Sequence, residues 1–93
     1  MKATIRILPR AESELLELPN RDIRKVVDLL DFLSIFPLGA QSAEFEEAPD
    51  VRRGVAGDYL IYYRYDKSRN TVLVYTIRHG ARKPLASEDL GPF

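Results

Sequence analysis

The stretch that decides the fold is Tyr59-Leu60-Ile61-Tyr62-Tyr63-Arg64-Tyr65, then Asp66-Lys67-Ser68-Arg69-Asn70, then Thr71-Val72-Leu73-Val74-Tyr75-Thr76-Ile77-Arg78. Both outer runs are rich in branched and aromatic residues, which fit a pleated, half-buried surface. The polar run between them suits a turn. Two strong strands follow. Upstream, Val51-Arg52-Arg53-Gly54-Val55-Ala56 reads as a weaker strand. Gly57-Asp58 reads as a two-residue hairpin turn, because glycine tolerates positive φ. Alternation puts Leu60, Tyr62 and Arg64 on one face and Tyr59, Ile61, Tyr63 and Tyr65 on the other. On the last strand, Val72, Val74, Thr76 and Arg78 oppose Leu73, Tyr75, Ile77 and His79. Both faces are partly apolar. One packs on helices, and the other keeps tyrosines whose hydroxyls need water or a partner.

The first half has a different period. Thr4-Ile5-Arg6-Ile7-Leu8 reads as a short strand. Pro9 stops it and opens a helix, since a first-turn proline loses no needed hydrogen bond. That helix runs to about Leu18. Ala11, Leu15 and Leu18 share a face, and Glu12, Glu14 and Glu17 lie mostly outside it. Pro19 ends the helix, and Asn20 is a good N-cap for the next. There Ile23, Val26, Val27, Leu30 and Leu33 follow helical spacing. Leu29, Phe32 and Phe36 widen the stripe beyond what one packing surface needs. Pro37 and Gly39 terminate it. Gln41 to Asp50 is an acidic connection with room for a short strand around Ala43-Phe45. The expectation is one α+β domain over residues 1–93: an N-terminal strand, a helical hairpin, then an antiparallel sheet of three or so strands.

Composition narrows the chemistry. The chain of 93 residues has room for one core. It has no cysteine, so disulfides, thiol nucleophiles and cysteine-ligated zinc are excluded. Its single histidine cannot build a usual multi-histidine metal site. Nothing in the sequence asks for a metal or cofactor. No apolar run approaches the ~20 residues of a membrane span. The start runs straight into strand-like alternation without a signal peptide, so a cytoplasmic protein is expected. Net charge is zero, but unevenly placed. Residues 1–51 carry 6 Lys/Arg against 10 Asp/Glu, while residues 52–83 carry 8 against 2. Only that second segment can supply the basic face that nucleic-acid binding wants.

Two candidate sites emerge. The last strand closes on Arg78-His79-Gly80-Ala81-Arg82-Lys83. Arg64, Arg78 and Arg82, with His79 and Lys83, are expected to converge where adjacent strands meet. Arginine forks match phosphate and carboxylate, and histidine exchanges a proton near neutral pH. Arg64, Arg78, His79 and Arg82 therefore contain the residue types of a metal-free ribonuclease: base, acid and cations for the phosphorane. Equally, Arg78, His79, Arg82 and Lys83 can grip a protein target, or simply form a solvated strand end. The second candidate is the apolar excess of Leu29, Phe32 and Phe36. It either fills the core or offers a groove to a partner. Leu90 and Phe93 are candidates to cover that groove in the free protein.

The run from Gly57 to Asp66, and the strand ending Arg78-His79-Gly80-Ala81-Arg82-Lys83-Pro84, resemble the closing half of RelE/ParE-superfamily toxins. The helical hairpin and the Phe36-Pro37-Leu38-Gly39 turn are also similar. The resemblance implies a bacterial type II toxin neutralised by a cognate antitoxin. RelE-like members cleave mRNA in the ribosomal A site. ParE-like members lack that nuclease set and poison DNA gyrase. The His-Gly-x-Arg ending resembles the ParE-like side. Two departures from the nuclease pattern point the same way. The chain is neutral rather than strongly basic. After Lys83 it also contains none of the Tyr, His, Arg or Lys residues that the nucleases place near their C-terminus. The expectation is a non-enzymatic, gyrase-directed toxin. The alternatives are a ribosome-dependent endoribonuclease or a degenerate member that binds only antitoxin.

Overall fold

The two strong runs are neighbours at the centre of a five-stranded sheet. The computed structural model describes residues 1–81. Arg82, Lys83, Leu90 and Phe93 lie outside the described residues. In chain order the elements are β1 (Thr4–Ile7), α1 (Pro9–Leu16), α2 (Asn20–Ile35), β2 (Gln41–Ser42), β3 (Val51–Ala56), β4 (Tyr59–Asp66) and β5 (Thr71–His79). The strand order is β1-β5-β4-β3-β2. β2 to β5 are antiparallel, as expected, and the β3–β4 hairpin turns at Gly57 with φ +60.

β1 adds something the alternation could not show. It lies parallel to β5, so the sheet is mixed. Ile5 and Ile7 pack on the core, and Leu8 N–H donates to the Val74 carbonyl at 3.0 Å. Asn70 Nδ2 donates to the Lys2 carbonyl at 3.2 Å, and Ala3 N–H to the Ser34 carbonyl at 2.7 Å. These bonds tie the N-terminus to both the β4–β5 turn and the end of α2.

Local signals were mostly obeyed. Pro9 opens α1 with Leu8 as N-cap. α1 stops at Leu16, and Leu18 N–H then closes a turn on the Leu15 carbonyl. Asn20 is the first residue of α2 rather than its cap. Pro19 takes the N-cap position with extended ψ, and its carbonyl accepts from Asp22 and Ile23 N–H. On α2, Val26, Leu30 and Leu33 are buried, whereas Val27 stays partly exposed. The short strand expected near Ala43-Phe45 forms instead at Gln41–Ser42, paired with Arg53 and Arg52.

The sheet is covered on both faces, unequally. The main core joins Ala11, Val26, Leu30 and Leu33 of the helices to Ile61, Tyr63, Val72, Val74 and Ile77. A smaller cluster lies on the opposite face, where Ala48, Val51 and Tyr62 are buried with Phe45 and Leu60 beside them. The acidic connection therefore folds over the face away from the helices. The Phe45 ring stacks on Tyr62 at a centroid distance of 6.0 Å.

Candidate functional site

A bulge sets the geometry of the strand end. Tyr62 pairs with Thr76 but Tyr63 pairs with Val74, so Tyr75 is the extra residue on β5. An extra residue reverses the alternation beyond it. Val72 and Val74 face the helices as one set, and past the bulge Ile77 and His79 take that face. This corrects the expectation that His79 and Ile77 oppose Val72 and Val74. Arg78, directly opposite Leu60, projects from the other face.

The expected convergence of Arg64, Arg78 and His79 is accordingly absent. Arg78 and His79 leave β5 on opposite faces. Arg64 shares a face with Arg78 but stands opposite Leu73, four residues along β4 from Leu60. At ~3.3 Å per residue that is roughly 13 Å away. Arg64 is also engaged. Its Nη2 donates to Asp50 Oδ1 at 2.8 Å, and its Nε lies 2.7 Å from Asp50 Oδ2. The second approach is short but poorly aligned, so it counts as charge contact rather than a hydrogen bond. Tyr75 also bonds to Arg64. Burial raises the Tyr75 phenol above its ordinary pKa, with the Arg64 charge opposing and Asp50 adding to the rise.

His79 sits in a cleft of about 590 Å³ lined by Glu14, Glu17, Leu18, Tyr59, Ile77 and Ala81. Its ring meets Tyr59 edge to face at 5.3 Å. Nδ1 accepts from Ala81 N–H at 3.1 Å, so the neutral ring carries its hydrogen on Nε2. The ring is thus bonded to the backbone of its own strand end. Below it, Glu14 Oε1 accepts from Thr76 Oγ1 at 2.7 Å and from Ile77 N–H at 3.1 Å. β1 has ended at Ile7, so this edge of β5 has no strand beside it, and a carboxylate from α1 takes the strand's place. The sequence reading left Glu14 outside the packed face, and the structure corrects that. Among the described residues, no group of three or more His, Asp or Glu side chains stands together as a metal would need.

The apolar excess on α2 divides. Phe32 and Phe36 are 44% and 56% exposed, and their rings meet at 5.4 Å. Leu29 is half-buried over Gly54, where a Cβ would approach its Cδ2 to 2.9 Å. That contact is why β3 carries a glycine mid-strand. Leu29 and Phe32 line a groove of about 320 Å³ with Gly39, Ala40, Arg53 and Val55. The turn after α2 is clamped from the sheet: Tyr63 Oη donates to the Pro37 carbonyl at 2.8 Å, and Arg52 Nη1 to the Ala40 carbonyl at 2.7 Å.

The family model described as the ParE toxin of the type II toxin–antitoxin system, parDE, matches residues 5–84. The chain belongs to this family. Solved structures agree on the architecture. The RelBE2 toxin–antitoxin complex of Mycobacterium tuberculosis contains a chain of 28% identity and TM-score 0.76, covering 85% of this chain and 99% of that one. The archaeal RelE–RelB complex of Pyrococcus horikoshii OT3 gives 18%, TM-score 0.71, and 89% and 100% coverage. The isolated RelE toxin of E. coli gives 16%, TM-score 0.73, and 95% of both chains. No curated protein sequence matches.

Within this ParE-family fold, sequence reasoning missed three site-shaping residues: Glu14, Asp50 and Phe45. A signal existed for Glu14, since Ala11, Glu14, Leu15 and Leu18 follow i, i+3, i+4, i+7 spacing. None existed for Asp50 and Phe45, whose partners are contacts across the fold.

Proposed function

We propose that this ParE-family toxin acts by binding a protein target, DNA gyrase, and is neutralised by a cognate antitoxin. The observation that carries the reading is the dispersal of Arg64, Arg78 and His79, the nuclease candidates among the described residues. Arg64 is locked to Asp50, Arg78 lies ~13 Å along the sheet from it, and His79 is on the opposite face against Tyr59. A metal-free ribonuclease needs base, acid and cations around one phosphate. Family membership supports the antitoxin partner, and so do the two related folds solved as toxin–antitoxin complexes. The exposed Phe32 and Phe36, and the groove beside Leu29, suit an amphipathic partner helix. On this reading the protein works in the cytoplasm, where both proposed partners would be met.

Purified protein tested in gyrase supercoiling and in cell-free translation separates the readings. Inhibited supercoiling with intact mRNA is the expected result. Unaffected supercoiling with mRNA cut on ribosomes would overturn it. That second outcome belongs to a RelE-like endoribonuclease, which the RelE toxins among the related folds favour. It further requires that His79→Ala and Arg82→Ala each abolish cleavage in a folded protein.

A further inference from the structure

Three central strands bring one row of side chains to the face away from the helices. Val55 of β3 stands opposite Leu60 of β4, and Leu60 stands opposite Arg78 of β5. Directly opposed residues share a face. Val55 is 62% exposed, and Leu60 and Arg78 are partly exposed. Gly80 leaves the flank of Leu60 open, since a Cβ there would stand 3.9 Å from Leu60 Cγ. Arg53, two residues before Val55, shares the face by alternation. The result is an apolar strip with Arg78 at one end and Arg53 beside the other, on β3, where Arg53 and Val55 also border the Leu29–Phe32 groove. Among the described residues, neither Arg53 nor Arg78 forms a salt bridge.

This surface suits protein better than nucleic acid. Single-stranded nucleic acid is held by exposed aromatic faces in a basic groove. Here Tyr62 is buried under Phe45. A partner carrying an apolar side chain between carboxylates matches the row in both shape and charge.

We propose that the Val55–Leu60–Arg78 row, with Arg53, is the surface by which this toxin grips its target, and that the target offers an acidic, apolar protein segment. The proposal rests on the protein-binding reading above. It removes His79 from the target-binding set, because His79 projects into the opposite cleft.

The test is growth arrest on induced expression of the full chain in a bacterial host. Arg78→Glu and Val55→Ser should each raise the expression needed for arrest by roughly tenfold or more. Arg78→Lys should lie between, and Glu17→Gln, in the opposite cleft, should match wild type. Circular dichroism and thermal melts establish that each variant is folded. Arrest undiminished in both Arg78→Glu and Val55→Ser overturns the row. So does binding of a single-stranded RNA probe by wild type that Arg78→Glu abolishes. Arrest that depends on the row while supercoiling is untouched removes gyrase and keeps the surface. A wild-type chain that arrests no growth removes target and surface together.

Discussion

Glu14→Ala isolates the contact that joins α1 to the open edge of β5. The carboxylate accepts from Thr76 Oγ1 at 2.7 Å and from Ile77 N–H at 3.1 Å. Thr76 is fully buried and Ile77 nearly so, while the Glu14 side chain is 22% exposed. Deleting the acceptor strands two buried donors, at about 1–3 kcal/mol each. Partial water entry beside an incompletely buried acid trims that sum, so the expected loss is about 2–4 kcal/mol. For a domain of this size that lowers Tm by roughly 10–25 °C. The Arg10–Glu14 contact, 3.9 Å and half-exposed on the arginine side, adds little. Glu14→Gln keeps an amide oxygen in place and should cost less than half as much. Urea denaturation followed by circular dichroism measures each value. A double-mutant cycle between Glu14→Ala and Thr76→Val should show about 1 kcal/mol of coupling. A Glu14→Ala loss under about 0.5 kcal/mol, or a cycle with no coupling, would refute the edge-capping role.

Three further outcomes follow from the same contacts. Tyr63 is buried with its hydroxyl on Pro37, and burial raises its phenol pKa against smaller opposing effects of an Ala40 backbone bond and the Arg52 charge. A raised folded pKa means the contribution is complete below the unfolded phenol value, about 10, and is lost as pH rises through the folded one. Tyr63→Phe should therefore cost ~1 kcal/mol at pH 7 and weaken alkaline unfolding, read by tyrosinate absorbance. At Gly54, a Val side chain must displace Leu29, so Gly54→Val should destabilise by about 1–3 kcal/mol in urea melts. Phe36→Ser should change stability by less than ~0.5 kcal/mol, because the ring is 56% exposed, yet weaken antitoxin capture in calorimetry at least tenfold.

Much of this protein was legible residue by residue. Proline positions and helical spacing located both helices, and alternation with turn chemistry located β3, β4 and β5, because these signals act within a few residues. The apolar excess of Phe32 and Phe36 was legible for the same reason: too many rings for one stripe leaves some in water. The resemblance carried by the strand ending in Arg78-His79-Gly80 led to the family that residues 5–84 match. Tertiary structure alone decided the rest. It placed β1 parallel to β5, a pairing that links residues far apart in the chain. It introduced the bulge at Tyr75, which reverses every later side chain and sends Arg78 and His79 to faces that strict alternation had exchanged. It brought Asp50 to Arg64 and Glu14 to the edge of β5. Such partners are chosen by which buried charge or N–H is left unsatisfied once the sheet is assembled, and that need exists only in the folded chain.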